Sequence, residues 1–172
     1  MTSAAPTLTH RIEQDKELVL ERTFQAPREL VFQAFTTPEH LRQWWGPRGW
    51  TLIHNDLDLR PGGRWHYCMK CEDPAQGDFY GMESWGLAVY DEIRAPEELV
   101  YTDYFSDAEG TINDALPATR SVVTFEDLGG ATRVVSRSTY ATPEALKAVL
   151  DMGMLQGISE TWDRLAEHLQ AQ

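Results

Sequence analysis

The C-terminal segment carries the feature that most constrains the fold, a single long stretch of helical periodicity. It opens at Thr142-Pro143-Glu144, where Thr suits an N-cap, Pro the first helical turn and Glu the positive end of a helix. Apolar residues then recur at helical spacing at Leu146, Leu150, Met154, Ile158, Trp162 and Leu165. The pattern predicts one helix from Pro143 to about Leu169, roughly 40 Å long at the usual rise per residue.

Most of the chain before this helix has the pattern of β-strands separated by turn residues. Strands are predicted at 17–24, 50–59, 64–70, 79–93, 99–105, 118–127 and 131–140. Two short helices are predicted after the first strand, beginning near Pro27 and Pro38. Short turns between consecutive strands imply an antiparallel sheet of six to seven strands. Because no other long helix is available, this α+β sheet must curve around the C-terminal helix.

Length and charge limit the organisation and the partners of the chain. Its 172 residues fit one domain at 17–172, and residues 1–16 are polar and patternless, as expected for a flexible N-terminal tail. A net charge of -12 opposes binding to nucleic acid. The sequence shows neither a signal peptide nor an apolar stretch long enough for membrane insertion, so we expect a soluble, cytoplasmic protein.

Several segments resemble a known family. They are the Ala26-Pro27 helix start, PEHLRQWWGP at 38–47, DLDLRPGGRWHY at 56–67, the Ala95-Pro96 turn that leads into EELV, and GISETWDRLAEHL at 157–169. Together they resemble the START or birch-pollen-allergen-like (SRPBCC) superfamily. Within it they are similar to the bacterial branch named for homology to an activator of a heat-shock-protein ATPase. The resemblance covers residues 17–170, and its motifs are structural rather than catalytic.

The resemblance implies a helix-grip fold with a cavity between the sheet and the long helix. Relatives bind lipids, sterols, polyketides or plant phenolics, and a few are cyclases. The family name also implies a co-chaperone-like interaction module. The eukaryotic activators, however, pair this domain with a separate N-terminal domain, for which the chain has no room.

A set of large aromatic and adaptable side chains is the candidate lining of this cavity. The predicted ligand-binding residues are Trp45, Trp50, Trp65, Tyr67, Met69, Glu83, Trp85, Tyr101, Met154, Gly157 and Trp162. The alternative is that the rings simply fill the core. Glu83 shares strand parity with Trp85 and is therefore expected to point inward, unless a bulge near Gly81 turns it to water. Gly157 lies one helical turn after Gly153, where small residues leave room for a ligand or for close backbone packing.

The chain lacks the motifs of common catalytic, metal and cofactor sites. Cys68 and Cys71 have C-x-x-C spacing, but no second ligand pair completes a zinc site, so we expect two ordinary thiols. We expect no metal, no cofactor and no identifiable catalytic residue. The leading hypothesis is non-catalytic binding of a hydrophobic or amphipathic small molecule. The alternatives are a cyclase or hydrolase that uses Glu83 with His66 or Tyr67, and a co-chaperone-like module whose protein partner is unknown.

Overall fold

The computed structural model describes residues 8–172, in which eight antiparallel strands form one sheet in the order β1-β2-β8-β7-β6-β5-β4-β3. The strands are β1 Thr9–Glu13, β2 Glu17–Phe24, β3 Trp50–Leu57, β4 Arg64–Cys71, β5 Glu83–Arg94, β6 Glu98–Phe105, β7 Thr119–Asp127 and β8 Thr132–Thr139. The helices are α1 Arg28–Thr36, α2 Pro38–Trp44, α3 Pro143–Asp151 and α4 Met154–Gln170, and short 3₁₀ turns occupy Pro74–Phe79. The α+β antiparallel architecture predicted from the sequence is confirmed.

The sheet has eight strands, so the prediction of six to seven was wrong. The additional strand is β1, which lies in the segment predicted to be a flexible tail and pairs with β2 from Thr9 opposite Glu21 to Glu13 opposite Glu17. All its residues but Glu13 are exposed, so no apolar alternation marked it in the sequence. The rest of that predicted tail, residues 1–7, lies outside the described residues.

The C-terminal helix is two helices rather than the predicted single one. Thr142 caps α3 as expected, since its hydroxyl accepts a hydrogen bond from the Ala145 N–H at 3.1 Å. The helix then ends at Asp151 with Met152 as its C-cap, and Gly153 has a φ of 84°, which is left-handed backbone. A left-handed residue cannot continue a right-handed helix, so α4 starts afresh at Met154.

The helices cover one face of the sheet, here called the inner face. Strands β2 and β3 are consecutive in the chain but distant in the sheet, and α1 and α2 make the crossing between them. Trp44 of α2 is fully buried there, packs on Phe35 with ring centroids 4.9 Å apart, and donates from its indole N–H to the Ala34 carbonyl. On α4, Trp162 packs on Phe24 at 5.9 Å. This end of the inner face is filled core.

Candidate functional site

The other part of the inner face is not filled and encloses a cavity of about 430 Å³ between the sheet, the α2–β3 loop and helices α3 and α4. That volume lies within the usual range of about 300–1,000 Å³ for small-molecule sites. The lining is mostly apolar and aromatic and includes Phe35, Trp45, Tyr67, Met69, Tyr101, Tyr104, Phe105, Val149, Met154, Ile158 and Trp162. Met152, exposed over 62% of its surface, also lines the cavity and marks its opening near the α3–α4 break.

Small side chains on two strands leave this space open. Ser121 of β7 and Ser136 and Ser138 of β8 are buried, and all three line the cavity. The hydroxyls of Ser121 and Ser138 lie 3.0 Å apart, so one of them donates a hydrogen bond to the other. Larger apolar residues at these positions would fill the volume that the cavity occupies.

A tyrosine–aspartate pair is the most polar feature of the lining. The Tyr67 hydroxyl lies 3.0 Å and 3.1 Å from the two carboxylate oxygens of Asp103 and donates a hydrogen bond to them. Tyr67 is on β4 and Asp103 is on β6, so the Tyr67 side chain crosses the intervening strand β5. It does so over Gly86, its cross-strand neighbour, where a Cβ atom would overlap the Tyr67 ring and hydroxyl.

Burial is the main cause of the pKa shifts in this pair. It raises the pKa of Asp103 from an ordinary 3.8 to about 7, although the hydrogen bonds from Tyr67 and from the Tyr104 main chain act in the opposite direction. Burial also raises the pKa of Tyr67 and Tyr101, so both remain neutral phenols. The cavity therefore holds the Asp103 carboxyl group, which gains or loses its proton near neutral pH. Beside it lies the Tyr67 hydroxyl, which stays protonated.

Among the described residues, no basic side chain neutralises the negative charge of Asp103. The cavity lining formed by residues 8–172 contains no lysine, arginine or histidine. None of the ion pairs formed within the same part of the chain includes Asp103. Residues 1–7 add no basic side chain, since their sequence is MTSAAPT.

Eight of the eleven predicted site residues contribute to the lining, namely Trp45, Tyr67, Met69, Trp85, Tyr101, Met154, Gly157 and Trp162. Of the other three, Trp65 is buried core, and its ring stacks on Tyr67 at 4.2 Å. Trp50 lies at the β3 edge and donates from its indole N–H to the Gln76 amide oxygen. Neither residue is part of the lining, which differs from the sequence prediction, although Trp65 packs directly behind the lining residues Trp45 and Tyr67.

Glu83 does not point into the cavity, which corrects the inward orientation expected from its parity. It is exposed, and its carboxylate accepts the indole N–H of Trp85 at 3.0 Å. The Trp85 ring lies 5.4 Å from His54 and 5.2 Å from His66, on the outer face of the sheet. The register explains this, because Tyr67 faces inward opposite Gly86, which places the odd-numbered neighbours Glu83 and Trp85 outward. Trp85 therefore meets the cavity with its main chain rather than its ring.

Sequence reasoning missed Asp103 and the three serines. Asp103 alternates with Tyr101 and Phe105 in LVYTDYF, and all three line the cavity. A charged residue in the inward register of an apolar strand was the signal that could have identified it. The serines gave no such signal, because Ser is common on either face of a strand.

The C-x-x-C pair has the character of ordinary thiols. Cys68 and Cys71 are both buried and unbonded to each other. Burial raises the pKa of Cys68 to about 11, which opposes the thiolate form that metal binding or redox chemistry needs. Among the described residues, no three His, Cys, Asp or Glu side chains converge in a way that suits a metal ion. The helices in this part of the chain also fall short of the length and hydropathy of a bilayer-spanning segment.

Solved structures with the same architecture come from several bacteria. Protein Ms6760 from Mycobacterium smegmatis is 32% identical, with 96% of this chain and 98% of that chain covered and a TM-score of 0.83. A protein from Arthrobacter aurescens is 26% identical over 95% and 92% of the two chains, with a TM-score of 0.82. The AHSA1 protein from Silicibacter pomeroyi, 22% identical over 90% and 98% with a TM-score of 0.69, shares the fold.

A comparison with curated proteins finds no match. The family model described as Activator of Hsp90 ATPase homolog 1-like protein matches residues 25–170. That range runs from the end of β2 to the last residue of α4 and includes every residue of the cavity lining except Leu20. The chain therefore belongs to the Activator of Hsp90 ATPase homolog 1-like family, within the START-like (SRPBCC) superfamily.

Proposed function

We propose that the protein binds an amphipathic small molecule, with a largely apolar body and one polar group, in the cavity between the sheet and helices α3 and α4. The observation that carries this proposal is the position of the Tyr67–Asp103 pair in a mostly apolar and aromatic cavity. An apolar body gains from burial against the rings, and a single polar group fixes its orientation. Membership of the family supports a ligand-binding or co-chaperone-type module in general terms.

Gly157 offers a test that leaves the polar pair intact. It lies on the cavity side of α4, and a Cβ atom there has as its nearest neighbour Pro47 Cγ at 3.9 Å, which is ordinary contact. Gly157→Leu should fill the cavity, and Gly157→Ala should add only a methyl group. Both changes remove a helix glycine, so each is expected to stabilise the free protein by up to about 1 kcal/mol.

The expected result is loss of apolar ligand binding in the leucine variant and its retention in the alanine variant. Binding is measured as the rise in melting temperature with a panel of aryl-alkyl compounds, because a ligand of the folded state must stabilise it. Native mass spectrometry of freshly purified protein checks for a co-purifying molecule. The proposal fails if no compound binds to the wild type, or if Gly157→Leu binds as well as Gly157→Ala.

One observation favours a second function, an enzyme that acts on the bound molecule. Tyr67 and Asp103 form an ionisable pair within hydrogen-bond distance inside the cavity, and a carboxyl pKa of about 7 suits general acid–base catalysis near neutral pH. The predicted Glu83 base is not available for it, because Glu83 lies on the outer face. Under this alternative Asp103→Asn retains ligand binding and abolishes turnover, and under the binding function the bound molecule is recovered unchanged from the wild type.

A further inference from the structure

Asp103 is a carboxylate whose surroundings supply too few donors. Among residues 8–172 its side-chain donor is the Tyr67 hydroxyl, 3.0 Å and 3.1 Å from its two oxygens, and the Tyr104 main chain adds a hydrogen bond. A carboxylate has about four acceptor positions. Burying one without a compensating charge is costly, and proteins normally pair such groups. Asp103 lines the cavity, where a ligand can supply both a further donor and an opposite charge.

The rest of the cavity also favours a cation over other polar groups. Aromatic side chains of the lining, among them Trp45, Tyr67, Tyr101, Phe105 and Trp162, offer π systems that attract positive charge. A ligand carboxylate or phosphate would meet like charge at Asp103. A pure hydrocarbon would leave Asp103 unpaired. The net charge of -12 further raises the local concentration of cations near the protein.

We propose that the natural ligand is a lipophilic amine, protonated at its nitrogen, whose N–H donates to the Asp103 carboxylate while its apolar body fills the aromatic cavity; this inference rests on the ligand-binding function proposed above. No bond is made or broken in this step. Tyr67 acts as a positioning residue, since its hydroxyl donates to the carboxylate and holds it in place.

Among the ionisable groups that face one another at this site, Asp103 is the one whose protonation changes near neutral pH. The others are tyrosines from four places, Tyr67 on β4, Tyr90 on β5, Tyr101 on β6 and Tyr140 after β8. Burial raises the pKa of each of them, so all four stay neutral across the physiological range. Helices α3 and α4 contribute no charged side chain to the lining. A change in ligand affinity between about pH 5.5 and pH 8 therefore reports on Asp103.

Three probes of matched shape test the proposal: phenylbutylamine, phenylbutanol and phenylbutyrate. Their affinities are measured by calorimetry and by the fluorescence of the cavity tryptophans at about pH 8. The amine is expected to bind about tenfold or more tightly than the alcohol, because both can donate a hydrogen bond to the carboxylate but only the ammonium also supplies the opposite charge. The carboxylate is expected to bind most weakly. In Asp103→Asn the preference for the amine is lost, and cooperative thermal unfolding of the variant shows that it is folded.

Two further experiments distinguish a direct role of Asp103 in binding the amine from a structural role. Below about pH 7 the affinity for the amine should fall as Asp103 gains a proton, whereas alcohol binding should change less, because it involves no ion pair. Tyr67→Phe removes a hydrogen bond that lowers the pKa of Asp103, so the inflection should move to higher pH. Equal binding of amine and alcohol by the wild type, or an amine preference that survives Asp103→Asn, overturns the proposal while the ligand-binding cavity stands. Failure of all three probes to bind overturns both.

Discussion

The Tyr67 ring lies directly over the backbone of Gly86, so that a Cβ atom on residue 86 would overlap the ring carbon Cζ and the hydroxyl oxygen. Gly86 is on β5, between the strand that carries Tyr67 and the strand that carries Asp103. The missing side chain is what allows a tyrosine to reach across a whole strand. The main requirement at position 86 is therefore space, which neither propensity nor hydropathy indicates.

Gly86→Ala is expected to displace the Tyr67 ring and to break its hydrogen bond to Asp103. Forcing a methyl group into a packed site typically costs about 1–3 kcal/mol. The free energy of unfolding from urea titration measures this cost. In a Tyr67→Leu background the overlapping atoms are absent, so the same glycine change should cost clearly less. Equal costs in the two backgrounds would show that the ring is not what excludes a side chain.

Asp103→Asn should make the protein more stable at neutral and alkaline pH. The folded protein holds the Asp103 proton up to a pKa of about 7, whereas the unfolded chain releases it near its ordinary value of 3.8. Between these values the folded state binds more protons, so the Asp103 contribution to stability falls as pH rises and stays low above pH 7. The asparagine in this variant has no carboxyl group to ionise, so the variant does not lose stability in this way as pH rises. Its advantage in free energy of unfolding should be absent near pH 4, grow towards pH 7 and then level off; an advantage that shrinks with pH would contradict the raised pKa.

The architecture was largely predictable because regular patterns encode it. Alternation in RWHYCMK and the spacing of Leu146, Leu150, Met154 and Ile158 each repeat over several residues. Strand β1 was missed because its exposed side chains show no apolar alternation, and what marks it is its main-chain pairing with β2. The α3–α4 break was missed because Gly153 fits a helical pattern by position, and only its positive φ shows that the helix ends there.

The candidate site was predictable only in part, since it depends on which strands are neighbours. Tyr67 and Asp103 are 36 positions apart, and the sequence does not state that β4, β5 and β6 lie side by side with this register. Glu83 was assigned inward by continuing the parity of the predicted strand 79–93. The structure starts β5 at Glu83, after the 3₁₀ turns, and places that residue outward. Alternation shows which residues of a strand share a face of the sheet. The orientation of at least one residue must be known before either face can be assigned as inward.

A histidine pair between α2 and α4 should make the protein less stable in mild acid. His40 Nδ1 and His168 Nε2 lie 2.7 Å apart, so one ring donates a hydrogen bond to the other. Burial and the neighbouring His40 lower the pKa of His168 below 6.5. The unfolded chain therefore binds a proton that the folded state resists, and stability should fall as pH drops through 6.5. His168→Gln should flatten this part of the stability profile measured by urea unfolding, whereas His10→Gln, on exposed β1, should leave it unchanged.

Arg164 of α4 holds the loop that forms one wall of the cavity. Its guanidinium Nη1 donates to the carbonyls of Gly46 at 2.8 Å, Trp50 at 3.2 Å and Pro47 at 3.3 Å, and its Nη2 donates to Gln43. The carbonyls belong to the end of α2 and the start of β3, so one side chain joins that segment to α4. Burial lowers the pKa of Arg164, yet a guanidinium remains charged at neutral pH.

Arg164→Lys should therefore loosen this wall although it keeps the charge. A lysine ammonium is a single point and cannot span carbonyls that a planar guanidinium reaches with two nitrogens. Losing hydrogen bonds from a charged donor is expected to cost about 1.5–3 kcal/mol in the free energy of unfolding. Arg120→Lys, at an exposed position with one long ion pair to Asp91, is the matched control and should change stability by less than about 0.5 kcal/mol. Hydrogen exchange should rise in the loop at 45–50 in the Arg164 variant alone; equal exchange in both variants would mean that Arg164 does not hold the loop.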